Sequence, residues 1–384
     1  MTLRLKKFTD IVQDKSGGNK KLPQELFLLD GQYPVVDQGK KFIAGYINDQ
    51  EYLVKSTDLP VVIFGDHTKA IKFVDFPFAM GADGVKVLKP KDDCDPKYLY
   101  HYLRYAKIPD AGYSRHFKFL KELEIPLPPL EEQRRITSIL DQADELRQKR
   151  QQAIEKLDQL LQATFIDMFG DPVSNPKGFE VKKLSEQVDL IQIGPFGTQL
   201  HQEDYIENGI PLINPSHIKN GKIIPNHKLT VSQSKYEELT QYHLRLNDVL
   251  LGRRGEMGRC AVVTQNEVGW LCGTGSLFLR PNLEKINPFF LELLLSSDSI
   301  KRYLENVSQG QTMANLNKTI VGTIPLISPS IEIQNKFFLI AEKIDKMKTE
   351  LKSAKNQVNN LFESLQNQAF NGTSFENLRY KDSL

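Results

Sequence analysis

Two stretches of this chain admit only one local structure. From Leu130 to Phe169, and again from Ile331 to Phe370, there is no Gly or Pro. Gln, Leu, Glu, Lys, Arg and Ala dominate the first of them. With Ile136 at heptad position a, Ile136, Ala143, Arg150, Leu157 and Thr164 occupy a, and Ile139, Leu146, Ala153 and Leu160 occupy d. Leu140, Ile154, Leu161 and Met168 form a further apolar column alongside. An offset of 201 residues gives the second copy: Phe337, Ile344, Leu351, Val358 and Leu365 at a, and Ile340, Met347, Ala354, Leu361 and Gln368 at d. Nine of those ten are apolar, and Gln133/Gln334, Ala153/Ala354 and Phe169/Phe370 match in register. Ordinary core helices average about 11–12 residues, so two uninterrupted heptad patterns of this length predict a coiled coil between them. Each helix would run roughly 60 Å at 1.5 Å per residue.

The same joint precedes each helix. "IPLPPLEEQRRI" (Ile125–Ile136) introduces the first and "IPLISPSIEIQNKF" (Ile324–Phe337) the second. Proline fixes φ and ends any earlier helix, so each joint couples a preceding globule stiffly to its rod. Glu131, Glu132 and Glu332 are acids of the kind the helix dipole favours in a first turn. The globules correspond too: "YPVVD" (Tyr33–Asp37) answers "IPLIN" (Ile210–Asn214), and "VIFG" (Val62–Gly65) answers "VLLG" (Val249–Gly252). "ADGVKVLKP" (Ala82–Pro90) answers "GTGSLFLRP" (Gly273–Pro281), and "PKYLYHYL" (Pro96–Leu103) answers "PFFLELLL" (Pro288–Leu295). The expected fold is α+β, an internal pseudo-twofold repeat of two mixed, strand-rich globules and two long helices forming an antiparallel coiled coil. Its segments are residues 1–127, 128–170, 171–326 and 327–384. Antiparallel pairing would carry the globules to opposite ends of one rod, as in a caliper.

Catalytic signatures are missing. The sequence has no G-x-x-x-x-G-K-[ST] or G-x-G-x-x-G phosphate loop, no N/D-P-P-Y/F tetrapeptide and no H-x-x-x-H pair. Asp171 with Glu180 and Lys182 superficially resembles a nuclease set, but it lies in a Gly/Pro-rich linker. Cys94, Cys260 and Cys272 have no metal spacing, which points to reduced, buried thiols in a cytoplasmic protein. The N-terminus lacks a signal peptide's apolar run, and no 18-residue apolar stretch suggests a membrane span. A net charge of +2 means that any nucleic-acid affinity must come from local patches.

Such patches occur on loops. In the first globule "DQGKK" offers Gln38, Lys40 and Lys41, "GDHTK" offers His67 and Lys69, and "GYSRHFKF" offers Tyr113, Arg115, His116 and Lys118. In the second, "NPSHIKNGK" offers Asn214, Ser216, His217 and Lys219, and "GRRGEMGRC" offers Arg253, Arg254 and Arg259. "SQGQTMANLNK" adds Gln309, Gln311, Asn315, Asn317 and Lys318. Arginine can fork onto guanine O6/N7 or clamp phosphate, while Gln and Asn suit adenine N6/N7. A solvated surface turn would carry the same residue types, so the pairing of two loop sets in a repeat is the stronger signal.

The joint "IPLPPLEEQRRI", the long helix, the "MFGDPVSNPKGFEVKKLSE" after it and a second globule ending in "IPLISPSIEIQ" resemble the specificity subunit of type I restriction–modification systems over essentially the whole chain. That resemblance implies two target recognition domains, each reading one half of a split double-stranded DNA site, with no chemistry performed by the chain itself. The coiled coil would set the half-site separation and dock two modification subunits, which use S-adenosylmethionine to methylate adenine N6. Restriction subunits would add ATP- and Mg2+-dependent translocation and cleavage. No cofactor, metal or membrane contact is implied for this chain. Pro126, Pro129 and Gln133 match the family's first joint, and Pro325, Pro329 and Gln334 its second, where Ser330-Ile331 departs from the Pro-Pro-Leu form.

Overall fold

In the computed structural model, residues 4–81, 83–112, 114–197, 199–308 and 316–371 are described. The chain divides into two compact units, residues 1–153 with 351–384 and residues 154–350. Both boundaries fall inside the long helices, Leu130–Phe169 and Ile331–Phe370, so each unit holds one globule and half of each helix.

The first globule has an antiparallel sheet in the order Val12–Asp14, Val85–Pro90, Val61–Gly65, Ile71–Val74. Beside it lies a smaller sheet in which Tyr33–Val36 pairs antiparallel with Gly45–Ile47 and parallel with Ala79–Met80. The second globule repeats the plan. Its main sheet runs Val188–Ile193, Ser276–Pro281, Val249–Gly252, Cys260–Val262. Its smaller sheet again ends in a parallel pair, Ile210–Ile213 with Leu271–Cys272. All four sequence correspondences therefore mark equivalent elements. Val62, Ile63 and Phe64, like Leu250 and Leu251, are buried because a central strand is covered on both faces.

One closure was not anticipated. A short strand at the start of each globule, Leu5–Lys7 or Val181–Lys183, pairs antiparallel with the strand entering the joint, Glu124–Pro126 or Pro325–Ile327. The signal was present as "KKF" (6–8) and "KKL" (182–184). A helix capped by Asp95 or Asn287 then packs against this region, Pro96–Tyr105 in the first globule and Pro288–Ser296 in the second. In the first unit Tyr98, Tyr102 and Tyr105 surround Phe370 at centroid distances of 5.5, 5.3 and 5.2 Å. In the second, Phe169 sits 4.7 Å from Phe290 and 5.5 Å from Phe337. The matched Phe169 and Phe370 thus anchor the far end of each helix into a core.

Within each unit the helix halves run antiparallel. In the first, Arg147 donates to Asn359 (2.9 Å) and Lys355 to Gln151 (2.6 Å). In the second, Lys348 pairs with Asp158 at 2.5 Å, while Phe165 meets Phe337 at 5.7 Å. Arg147–Asn359 and Asp158–Lys348 are the same contact with the helices exchanged, since each position moves by 201 residues.

The seam itself differs from the heptad reading. Position a holds: Ile136, Phe337, Ile344 and Val358 are buried, and Leu157 and Leu351 are half-buried. Its partner column is the one four residues on, containing Leu140, Ile154, Leu161, Phe362 and Ala369. At d, the large residues Leu146, Leu160, Met347 and Leu361 are 42, 51, 51 and 55% exposed, while Ile139, Ile340, the two alanines Ala153 and Ala354, and Gln368 are half-buried. Counting apolar residues favours d because the true column carries Arg147, Lys348 and Lys355. Those side chains lay their alkyl stems along the seam and carry the charge across it to polar partners.

Candidate nucleic-acid interface

In each globule one point gathers the candidate loops: the end of the central strand, where Gly65-Asp66 and Gly252-Arg253 turn outward. Three backbone hydrogen bonds define it in the first domain. Gly65 N–H donates to Ala70 (2.8 Å), Asp66 N–H to Gly84 (2.7 Å) and His116 N–H to Asp66 (2.8 Å). The second domain makes the same three. Gly252 donates to Arg259 (2.8 Å), Arg253 to Gly275 (3.0 Å) and Leu316 to Arg253 (3.0 Å). Asp66 and Arg253 are therefore structurally equivalent, and each ties down the segment leading to the joint.

The side chains at these points differ. The buried Asp66 carboxylate accepts the Phe117 N–H at 2.7 Å. The His116 ring is buried, with Nδ1 3.0 Å from the Asp66 carbonyl and Nε2 accepting the Ala111 N–H at 3.4 Å. Gln38 spans two loops, donating to the Asp83 carbonyl (3.0 Å) and accepting the His67 N–H (3.3 Å). Gly84 must be glycine: its φ is +88°, and a Cβ would lie 2.5 Å from the Gln38 carboxamide oxygen. The buried Lys72 ammonium donates to the carbonyls of Asp37 (2.8 Å) and Lys41 (2.6 Å), fixing the first loop, and burial holds its pKa below the usual lysine value despite Asp37.

In the second domain Arg253 is only 5% exposed, and its Nε donates to the Leu316 carbonyl at 3.1 Å. Burial, then repulsion from Arg254, lowers its pKa. Asn214 Oδ1 accepts the Gly275 N–H at 3.2 Å, joining two loops. His217 is buried, its Nδ1 accepts the Asn214 N–H at 3.3 Å, and burial favours its neutral form. Arg259 pairs with Glu256 at 2.7 Å and reaches the Pro215 carbonyl. Lys318 donates to Gln192 at 3.3 Å, and Asn317 caps the helix Lys318–Gly322 through the Ile320 N–H (2.9 Å).

The candidates thus fall into two groups. His116, His217 and Arg253 were read as surface readers but are buried braces, because the turns around them need donors and acceptors. Lys40, Lys41, Arg115 and Lys118 in the first domain, and Ser216, Lys219 and Arg254 in the second, are exposed around those braces. Half-buried Lys69 is held by Asp110 at 3.2 Å. Tyr113, Gln309, Gln311 and Asn315 lie outside the described residues. Asp66 and Lys72 were missed; a polar residue directly after "FG", matching Arg253 after "LG", was the available sign. The nuclease-like set does not form, since the Asp171 carboxylate accepts the N–H groups of Val173 (3.1 Å) and Ser174 (2.9 Å) in a local turn and Glu180 pairs with Lys182 at 3.0 Å. Among the described residues, no cluster of His, Cys, Asp or Glu could hold a metal ion, and no helix is long and apolar enough to cross a membrane. The three cysteines are buried, and burial pushes the Cys94 thiol up to about 12.

The family described as the type I restriction modification DNA specificity domain matches this chain over residues 3–156 and 176–360. The chain belongs to that family. It is 25% identical over 354 residues to the type I restriction enzyme EcoBI specificity subunit of Escherichia coli, covering 84% of this chain and 74% of that one. It is also 25% identical over 376 residues to the MjaVIII specificity subunit of Methanocaldococcus jannaschii, covering 87 and 85%. The crystal structure of the S subunit from M. genitalium superposes with a TM-score of 0.63 at 18% identity, over 96% of each chain, so the fold is shared. Family membership gives the chain the role of a specificity subunit, with two DNA specificity domains and no catalysis of its own.

Proposed function

We propose that each globule reads one half of an asymmetric, bipartite double-stranded DNA site, and that the paired helices set the half-site spacing. The observation that carries this reading is the twice-built loop cluster, with one backbone scaffold and different side chains at equivalent places. Two unlike readers on one scaffold call for two unlike half-sites rather than a palindrome. DNA repeats about every 34 Å, so readers held by a spacer favour a fixed separation. The exposed Lys and Arg side chains would supply the salt-dependent phosphate contacts. Leu146, Leu160, Met347 and Leu361, apolar and solvent-facing on the helices, suit the docking of two modification subunits, with restriction subunits joining the larger assembly. S-adenosylmethionine, ATP and Mg2+ would be held by those partners, and the target adenine would leave the base stack to reach a partner's pocket.

The test is a genome-wide map of N6-methyladenine with and without the gene. Loss of one split, asymmetric motif on deletion is the expected result and discloses both half-sites. Identical maps from a strain with active modification subunits would refute the reading.

A further inference from the structure

We infer that Gln133 and Gln334 are the positioning residues that enforce spacer stringency, an inference that rests on the bipartite reading above. Both sit in the first turn of a long helix with side chains 0 and 1% exposed. Gln133 accepts the Asp95 N–H at 2.8 Å and donates to the carbonyls of Asp93 (2.9 Å) and Pro128 (2.8 Å). Gln334 accepts the Asn287 N–H at 2.8 Å and donates to the carbonyls of Lys285 (3.2 Å) and Pro329 (2.9 Å). One carboxamide thus grips three backbone points: the loop before the packed helix, that helix's N-cap and the joint itself. No apolar side chain could satisfy them, and Asp95 and Asn287 use their own side chains on the following N–H groups.

The rest of the contact between each globule and its rod differs. In the first unit Asp141 binds Lys97 (2.6 Å) and His101 (2.7 Å), and Arg104 binds Asp144 (2.8 Å). In the second, Phe289 stacks on Phe338 at 4.7 Å, and Asn287 donates to Asn335 (2.9 Å). Phe370 and Phe169 anchor the far end of the other helix in each unit, but where a globule meets the start of its own helix the glutamine clamp is the polar contact the two share. It fixes both the rotation and the axial position of a helix against its own recognition domain. Spacer discrimination needs that rigidity, since one added base pair moves a half-site by about 3.4 Å and about 35°.

The experiment uses the full chain reconstituted with its modification subunits and a DNA library in which the mapped half-sites are separated by spacers of varying length. Gln133→Met keeps volume and removes the carboxamide; Gln334→Met does the same at the other joint. Gln133→Asn and Gln334→Asn, too short to span the three points, serve if the Met variants fail to fold. The native spacer should still be methylated with unchanged half-site preference. Its preference over spacers one base pair longer or shorter should fall by about tenfold, the equivalent of about 1.4 kcal/mol of positioning free energy. Folded variants with wild-type spacer preference would overturn the inference, as would an equal loss of methylation at every spacer length. A wild-type complex that methylates no split motif would instead defeat the bipartite reading, and this inference with it.

Discussion

Arg253 and Arg254 are neighbours of one chemical type with opposite roles. Arg253 is buried, and its guanidinium donates to the carbonyls of Leu316 (3.1 Å) and Thr274 (3.5 Å). Arg254 is exposed and makes no side-chain hydrogen bond or ion pair among the described residues. Truncating Arg253 to Ala removes charged donors from buried carbonyls, a loss of about 1.5–3 kcal/mol per such bond, discounted toward the lower end for the long contact to Thr274. Arg254→Ala should stay within about 0.5 kcal/mol of wild type in stability. With a urea m-value of about 2 kcal/mol per molar, Arg253→Ala lowers the unfolding midpoint of the second domain by about 1 M. Trp270, the sole tryptophan, packs against that domain's core and reports its unfolding by fluorescence. DNA binding by the partner-reconstituted complex should show the reverse order. If Arg254 reads a guanine, Arg254→Ala costs about 1–3 kcal/mol and relaxes one position; if it holds phosphate, binding weakens uniformly and the salt slope falls by about one. Equal midpoint shifts for the two variants, or none for Arg253→Ala, would refute the division between brace and reader.

Ile154→Ala, in the seam, should cost about 2–4 kcal/mol, whereas Leu160→Ala, half-exposed on the outer face, should cost under about 1 kcal/mol; thermal unfolding of the full chain distinguishes them. Burial pushes the Glu292 carboxyl from 4.5 up to about 7, only partly offset by Cys260 and Lys301. The folded state then keeps a proton that the unfolded state has lost, so this group's stabilisation is complete below pH 4.5 and disappears as pH rises through about 7. Glu292→Gln should therefore remove up to roughly 3 kcal/mol of the decline in second-domain stability between pH 5 and pH 8, measured by urea titration at both values. Lys72→Met frees the loop from Asp37 to Lys41 and should degrade preference at one half-site alone, as read by methylation mapping; equal loss at both would count against the local role of Lys72.

The repeat was legible because its signals are local. Heptads, proline joints and β-branched runs each declare themselves over a few residues, and their recurrence 201 residues apart made the architecture readable. The seam was half-legible. Position a is apolar throughout the second helix and interrupted only by Arg150 and Thr164 in the first, but the second column hides its role behind Arg147, Lys348 and Lys355, whose partners lie on the other helix. The candidate site was legible as a set of loops and illegible as a set of roles. Nothing near "GRRG" says which arginine turns inward; that is decided by the Leu316 carbonyl, 63 residues on. His116 and His217 likewise look like surface readers until the turns around them supply partners for their ring nitrogens.

The two kinds of site in this molecule follow opposite rules, and the reason is which atoms do the holding. At the end of each central strand the scaffold is closed by three backbone hydrogen bonds, the same three in both domains. Because the main chain closes the turn, the side chain there can be an acid in one domain, Asp66, and a base in the other, Arg253, without changing its path. Neither buried side chain is a reader; with the turn held in place, the exposed residues around it, Lys40, Lys41, Arg115 and Lys118 in one domain and Ser216, Lys219 and Arg254 in the other, can differ while keeping their positions. At the joints the main chain alone leaves an N–H and two carbonyls facing the long helix, and a single side chain must complete them. Glutamine supplies one acceptor, two donors and the required reach, so the same residue stands at both joints while the surrounding contacts differ. Variable reading and fixed spacing thus come from one chain because residue type can vary where the backbone closes the structure and cannot where one side chain must complete it.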